Sequence, residues 1–347
     1  MSDLQTLTPG FIIYINGTRL GVDQESSVKK IVINDRLDGP AGFTVYLSDM
    51  NQEWAGFADF GEGNQFSIHL GYKDNIEEVI LGDVVSVCGE LKKNTTAMTI
   101  IKGRNSLHRL KTGLKTKVFS ETTITDIISQ VASDAGLSVD VDEVGGETLF
   151  WVQRNQSDYD MIMSLASQYN CSVWGDGETL YFKQQTESTE DVVLEWGKTL
   201  LEFSCVNDVQ QLVTEVEVIG WDSQTGTSVL GTASLDDITQ LVGGEELGGH
   251  IVEDNFGPRK VVLNDHSAID QDTADSLAME YLTRNSFNYV RAHGKCEGDY
   301  RIKAGIEIEI VGVGDKFAGT YLVEEVNHIL QSQTGYRTSF TLRRNKV

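Results

Sequence analysis

The chain has 347 residues, and 28 Lys and Arg against 52 Asp and Glu leave a formal charge of −24. A surface that acidic excludes a protein that grips DNA, RNA or anionic lipid over its whole face, because like charges repel. With 40% apolar residues, a mean hydropathy of −0.21, 34 glycines and only 3 prolines, the chain reads as soluble and turn-rich β structure, long enough for two or three domains.

The N-terminus carries Asp3 and an apolar run of only five residues, Phe11 to Ile15, so it reads as lacking a signal peptide; no window reaches membrane-spanning length. Phe11–Ile15 closes on the turn dipeptide Asn16-Gly17. Val28 to Asn34, Gly42 to Leu47, Gln65 to Gly71, Val84 to Val87 and Met98 to Ile101 continue as short, partly alternating strands. This spacing predicts a small barrel or sandwich over residues 1–117. The period then changes. Thr123 and Ser157 each stand as an N-cap with an Asp three residues on, ahead of apolar stripes at Ile124, Ile127, Ile128, Val131 and Ala132, and at Tyr159, Ile162, Leu165, Ala166 and Tyr169. Strands around Leu137–Val141, Phe150–Gln153, Cys171–Trp174 and Leu180–Lys183 complete a small α/β insert, residues 118–185.

Strands resume at Val192–Trp196 and Leu212–Trp221. The glycine-rich, acidic stretch from Asp222 to Gly257 reads as a long loop or loose subdomain, so that 186–258 is expected to complete a second barrel. A helix from about Asp270 to Arg284 should bury Ala274, Leu277, Ala278, Tyr281 and Leu282. Strands at Val290–Glu297, Glu307–Val311, Gly319–His328 and Thr338–Arg343 then form the second barrel proper, 259–347. The pair of runs Phe66–Gly71 and Gly82–Val87 is echoed by Ile306–Gly312 and Gly319–Val323, an internal repeat that any two meanders would partly mimic.

Chemistry-bearing motifs fail on inspection. Gly197-Lys198-Thr199 lacks the first glycine of a phosphate loop, since position 192 is Val192. Gly312-Val313-Gly314 has Phe317 where the third glycine of a dinucleotide fingerprint belongs. Asp140-Val141-Asp142, with Gly145, starts like a calcium loop, but Val144 and Trp151 replace two ligands. The six histidines, at 69, 108, 250, 266, 293 and 328, form no metal-spaced pair, and the acid pairs Asp236-Asp237 and Glu245-Glu246 mean little in so acidic a chain. The four cysteines, Cys88, Cys171, Cys205 and Cys296, form no CxxC and are expected as reduced, mostly buried thiols of a protein made in the cytoplasm. No catalytic residue, metal or cofactor is assigned, and the chain reads as no enzyme.

Charge is segregated. Residues 186 to 258 hold fifteen acids against Lys198, whereas 91 to 120 hold Lys92, Lys93, Lys102, Arg104, Arg109, Lys111, Lys115 and Lys117 and no acid. Two solvated faces would explain this, as would complementarity within a subunit or between copies of an assembly. Nucleic-acid binding by the basic run lacks interleaved aromatics and ranks last.

The block from Phe119 to Ile128 with Ala132, Gly136 and Leu137, and the block of Gln153, Ser157, Asp158, Tyr159, Asp160, Met161, Ile162, Leu165 and Ala166 ending in Gly177–Phe182, resemble the phage late control D family. These are tail hub proteins, whose relatives include the hub part of VgrG spikes. Gly305, Ile308, Ile310, Gly319, Tyr321, Val323, Val326, His328, Gly335, Tyr336 and Thr338 are similar to the family's closing strands. The resemblance spans nearly the whole chain. It implies a mainly β fold in which two tube-protein-like barrels flank a small α/β domain. It also implies a homotrimer forming a pseudo-six-fold ring in a baseplate centre. Its partners would be a hexameric inner tube, a separate trimeric spike and other baseplate proteins, without specific nucleic-acid binding or membrane insertion of its own. Such a protein is made in the bacterial cytoplasm and assembled into a virion tail or an extracellular injection particle. Gln153, Ser157, Asp158, Gly319, Tyr321 and His328 match the family motif and read as structural, Ser157 capping a helix and Asp158 favouring its positive end.

Unlike VgrG, the sequence stops at Val347 with no spike segment, hence the expectation of a separate spike. The acidic stretch, if it lines a channel, would repel DNA or acidic cargo. A carbohydrate-binding or adhesin module is the alternative, with Trp54, Trp174 or Trp221 as binding aromatics. A cell-wall hydrolase comes third.

Overall fold

The computed structural model describes residues 8–347 apart from 38, 55, 74, 94, 145–148, 170, 185–191, 223–224, 266–267 and 269. The expectations for Asp3, Gly145, His266 and residues 186–191 lie outside the described residues. The chain opens with β1 (Pro9–Ile15), β2 (Thr18–Arg19), a short α1 (Val22–Ser27), β3 (Val28–Arg36), β4 (Gly39–Ser48), β5 (Gln65–Tyr72), β6 (Asn75–Glu90) and β7 (Met98–Arg104). The α/β insert holds β8 (Lys115–Thr122), α2 (Ile124–Asp134), β9 (Ser138–Val141), β10 (Leu149–Gln156), α3 (Asp158–Gln168), β11 (Cys171–Asp176) and β12 (Thr179–Gln184). There follow β13 (Val193–Glu195), β14 (Leu200–Asn207), β15 (Glu215–Asp222), β16 (Thr227–Ser234), α4 (Gly248–Phe256), β17 (Lys260–Asn264) and α5 (Gln271–Ser286). The chain ends with β18 (Val290–Glu297), β19 (Glu307–Val311), β20 (Gly319–Gln331) and β21 (Gly335–Arg344).

Thirteen strands share one sheet, and it is built twice over. One half runs β3-β4-β7-β6-β5-β1, the other β14-β18-β21-β20-β19-β13, the same permutation of six strands. Alternating inward side chains give each half its own core. Ile13, Ile31, Ile33, Phe43, Phe66, Ile68 and Ile101 meet in the first; Leu194, Ile308, Ile310, Val323, Val326, Phe340 and Leu342 meet in the second. The irregularities repeat as well. The β3–β4 ladder slips between Val28 and Lys30, and the β14–β18 ladder between Leu200 and Glu202. The β6–β7 ladder slips between Val84 and Ser86, and the β20–β21 ladder between Val323 and Glu325. Bulges are positional features, so two that coincide fix the correspondence residue by residue. The halves also differ: β3–β4 slips again between Asn34 and Arg36 and β5–β6 between Ile68 and His69, without counterparts in β14–β18 and β19–β20, and β1 runs antiparallel to β5 whereas β13 runs parallel to β19.

The meander repeat expected from the sequence is therefore present, but displaced by two residues. Phe66 pairs with Gly82 as Ile308 pairs with Tyr321, so Ile308 rather than Ile306 is the counterpart of Phe66. A slip of two keeps every side chain on its own face, and an alternating pattern does not register it. The halves join where β20 lies antiparallel to β3, from Glu325 opposite Arg36 to Gln331 opposite Lys30.

The α/β insert closes on α2 and α3, whose buried faces are the expected stripes, with Met161 added and Tyr169 only partly buried. The Asp126 and Asp160 backbone N–H groups donate to the Thr123 and Ser157 hydroxyls at 3.2 and 3.1 Å. Ser157→Ala should therefore cost about 1 kcal/mol of stability, read by denaturant unfolding of the full chain; an unchanged midpoint would show that the cap contributes nothing.

Among the described residues, 222–257 do not form one long loop, which corrects the first of the two sequence readings, a long loop or a loose subdomain. β15 pairs with β16 and β17, α5 packs across them, and Val216, Val218, Ala233, Leu235, Ala274, Ala278 and Leu282 form a separate core. Among the described residues of the acidic region, only β13 and β14 join the large sheet. In that stretch Gly231 is a contact point rather than a turn, as is Gly220 on the neighbouring β15, which the sequence places in a strand. A Cβ on Gly231 would lie 2.1 Å from the Ala274 carbonyl carbon, and one on Gly220 would lie 2.0 Å from the Ala268 oxygen. Glycine lets the helix and its lead-in approach the sheet closely. The cysteines differ from expectation too: only Cys296 is buried, while Cys88 is exposed and Cys171 and Cys205 are intermediate.

Candidate assembly site

The motif residues fall into two places. Gln153, at the end of β10, donates from Nε2 to Asp158 Oδ1 at 3.0 Å and to the Gln156 carbonyl at 3.1 Å. Asp158 Oδ2 accepts from Lys115 Nζ at 2.5 Å, and Ser157 Oγ donates to Asp160 Oδ2 at 2.7 Å. Gln153, Ser157 and Asp158 are all buried. The cluster locks the start of α3 to the paired strands β8 and β10, with an acid at the positive end of the helix.

Gly319, Tyr321 and His328 lie on β20. The Tyr321 hydroxyl donates to the Phe317 carbonyl at 2.7 Å, and its ring lies beneath the buried Arg344 guanidinium, 4.5 Å from centroid to Cζ. Arg344 itself donates to the carbonyls of Ala318 at 2.9 Å and Lys316 at 2.8 Å, fixing the β19–β20 turn. Gly319 has a φ of 123°, and a Cβ there would lie 3.1 Å from Arg344 Nη1. Sequence reading missed Arg344, although alternation from Tyr336 places it on the buried face of β21.

His328 is buried at the seam between the halves. Its Nε2 is 3.0 Å from the Ile302 carbonyl, which can only accept, so Nε2 carries the proton; Nδ1 then accepts from the Tyr336 hydroxyl at 2.9 Å. Burial holds its pKa down to about 4, against 6.5 for a free histidine. The unfolded chain therefore takes up a proton that the folded chain refuses. Stability on this account is lost as the pH falls from 6.5 towards 4, by roughly 2 kcal/mol between pH 7 and pH 5. Denaturant unfolding at both pH values should show that loss in the native chain and about that much less of it in His328→Gln. Equal losses in the two proteins would contradict this.

Further contacts brace the same seam. The Ala304 N–H donates to Asp35 Oδ2 at 3.1 Å, the Leu37 N–H donates to the Glu324 carbonyl at 3.1 Å, and the Tyr72 and Tyr336 rings sit 5.8 Å apart. Desolvation raises the Asp35 pKa above the usual carboxylate value.

The basic run is largely spent inside the subunit. Arg109 pairs with Asp83 at 2.8 Å, Lys115 with Asp158, and Lys117 with Asp134 at 4.0 Å; Lys111 lies over the Tyr159 ring. None of those acids belongs to residues 186–258. Lys92 pairs only with its neighbour Glu90 among the described residues and keeps 67% of its side chain exposed. The proposed binding aromatics do not form one platform. Trp54 packs against Phe57 and Phe60, Trp174 stacks on Tyr181 at 5.1 Å, and Trp221 is exposed on β15. Among the described residues no group of three His, Cys, Asp or Glu is placed to hold a metal, and burial pushes the Cys171 thiol up to about 12. Among the described residues no helix is long and apolar enough to cross a membrane.

Among the described residues, two open edges of the large sheet carry exposed apolar side chains. Among the described residues, β14 beyond the Leu200–Trp196 bridge pairs with β18 alone, and β6 beyond Val84 pairs only with β7. The exposed side chains are Leu201 and Val206 on β14, and Val85 on β6 with Leu91 just past its end. Edges of this kind are templates for another strand unless blocked.

This architecture is that of phage tail proteins. The 43 kDa tail protein of prophage MuSo2 from Shewanella oneidensis superposes with a TM-score of 0.75 at 14% identity, over 97% of this chain and 99% of that one. A tail protein from Neisseria meningitidis gives 0.69 at 11%, over 97% of both chains. An Escherichia coli component of the type VI secretion system, described as similar to bacteriophage T4 tail proteins, gives 0.61 at 10%, over 96% of this chain and 76% of that one. The resemblance to tail hub proteins thus holds at the level of the fold. By sequence, residues 5–332 match the model of the Alg8 N-terminal domain, and the chain belongs to that family. No curated protein sequence matches it.

Proposed function

We propose that the chain is the structural hub of a phage tail baseplate or of a related contractile injection particle. Three copies close into a ring in which each contributes two barrels. The ring presents six similar units to a hexameric inner tube and three-fold symmetry to a separate trimeric spike. The observation that carries this is the duplicated half-sheet, with its strand permutation and both bulges repeated, because a chain of two like halves is what lets a trimer meet a six-fold partner. The fold shared with tail proteins supports it. Gln153, Ser157, Asp158, Gly319, Tyr321 and His328 serve this role by holding the α/β insert and the seam rigid, not by chemistry. The protein is made in the bacterial cytoplasm and ends in the assembled particle, with no cofactor and no enzymatic step.

Sedimentation of the purified protein, alone and co-expressed with a trimeric spike, tests the reading. A species of three times the 38.3 kDa chain is expected in at least the second sample. A monomer in both would overturn it.

A further inference from the structure

We infer that the open edge of β6 in one copy pairs antiparallel with the open edge of β14 in the next, reproducing between chains the β20–β3 seam found within one. The inference rests on the ring proposed above and names the contact that would close it.

The two bulges set the register. They place Val87 to Lys92 where Val326 to Gln331 stand, and Glu202 to Asn207 where Lys30 to Asp35 stand. Within the chain, Leu330 faces Ile31, His328 faces Ile33 and Asn327 faces Asn34. Transferred to the open edges, Leu91 faces Phe203, Gly89 faces Cys205, Cys88 faces Val206 and Lys92 faces Glu202. Burial agrees with a missing strand. Leu330, Ile31 and Ile33 are 9%, 0% and 1% exposed, whereas Leu91 is 68% exposed and Phe203 and Cys205 are only half-buried. Covered by the neighbouring edge, Leu91 would extend the second core beside Phe203 as Leu330 extends the first.

Charge agrees too. Lys92 opens the basic run and Glu202 lies in the acidic one, and each is mostly exposed beside a like-chain partner, Glu90 and Lys295 respectively. Across a sheet edge an opposite-charge pair favours this register and disfavours its one-residue slips, which would also turn Leu91 outwards. The contact is heterologous, edge to a different edge, so it propagates until the ring closes, and no third surface is needed.

Cross-linking in solution tests the register. Val206→Cys sets a thiol opposite the native, exposed Cys88 on the outer face, with Cys205→Ser removing the neighbouring thiol. The full-length protein is treated at high concentration with copper–phenanthroline or a short bifunctional thiol reagent. The expected result is a covalent ladder stopping at three chains, with the 88–206 linkage identified by peptide mass spectrometry. Its yield should exceed that of a Val262→Cys control, on β17 away from either edge, by about tenfold, the gain of an encounter held in register. The ladder should vanish when Cys88→Ser is added. A trimer by sedimentation without the 88–206 link would overturn this inference and leave the ring standing. A monomer with no link at any concentration, both alone and with the spike co-expressed, would overturn both, and links that ignore register would overturn the pairing.

Discussion

Arg344→Ala is expected to destabilise the second barrel by about 3 kcal/mol, the worth of two hydrogen bonds from a charged donor together with the carbonyls left unpaired. The guanidinium is 1% exposed, spans the carbonyls of Ala318 and Lys316, and rests on the Tyr321 ring. Its planar fork reaches both oxygens at once, which an ammonium on a flexible stem does not. Arg344→Lys should therefore recover less than half of the loss. Hydrogen exchange would localise the damage, with protection falling on β19 and β20 and staying intact on α2 and α3. Native stability in Arg344→Lys would mean that charge alone matters and the fork does not.

Phe66→Ala carries an equal or larger expectation, a loss of about 3–5 kcal/mol from the first barrel. Phe66 is 1% exposed and stacks on Phe43 with ring centroids 5.6 Å apart and planes 11° from parallel. Phe60 packs on its other side at 6.2 Å, and Trp54 and Phe57 pack on Phe60. Phe43 in turn lies over Gly103, where a Cβ would come within 2.0 Å of its ring. The rings of Phe43, Phe66, Phe60, Phe57 and Trp54 thus form one chain of contacts, and removing Phe66 leaves a cavity beside Phe43, which the ladders of β4 hold in place. Denaturant unfolding should show the loss, and exchange should rise on β1, β5 and β6. A loss below about 1 kcal/mol would mean the core collapses onto the gap.

The two barrels should respond separately, since their cores meet only along the seam. Leu330 and Tyr336 of the second half are the residues that reach into the first core. His328, Asp35 and the β20–β3 ladder lie along that join. Stability at the seam, rather than in either core, is therefore where pH acts through His328.

Much of this was legible in the sequence. Helices α2 and α3 follow from a cap and a 3.6-residue stripe and α5 from its stripe alone, of which Ala274, Ala278 and Leu282 are buried and Leu277 and Tyr281 only partly so. Most strands of both barrels followed from alternation, and the meander repeat was visible two residues out of register. What failed did so for physical reasons. Gly231 marks a close approach of β16 to α5 in the fold, but in a glycine-rich sequence it signals a turn, so β16 is not legible as a strand. α4 starts at Gly248 and Gly249, which press on Tyr289 and Leu235, and glycine is a poor helix former when read alone. The β20–β3 join links residues almost a whole chain apart, and no local pattern reports such a pairing. The basic run read as a face, but its side chains Arg109, Lys115 and Lys117 are bridges between the first barrel and the α/β insert or within that insert.

The central claim is that one duplicated half-sheet supplies six like units to a closed ring. End-on single-particle images of the assembled protein, analysed for rotational symmetry, test it most directly. The account predicts a ring with a central hole and strong six-fold power over a weaker three-fold term. A three-lobed particle without six-fold power, or particles that form no ring, would contradict it.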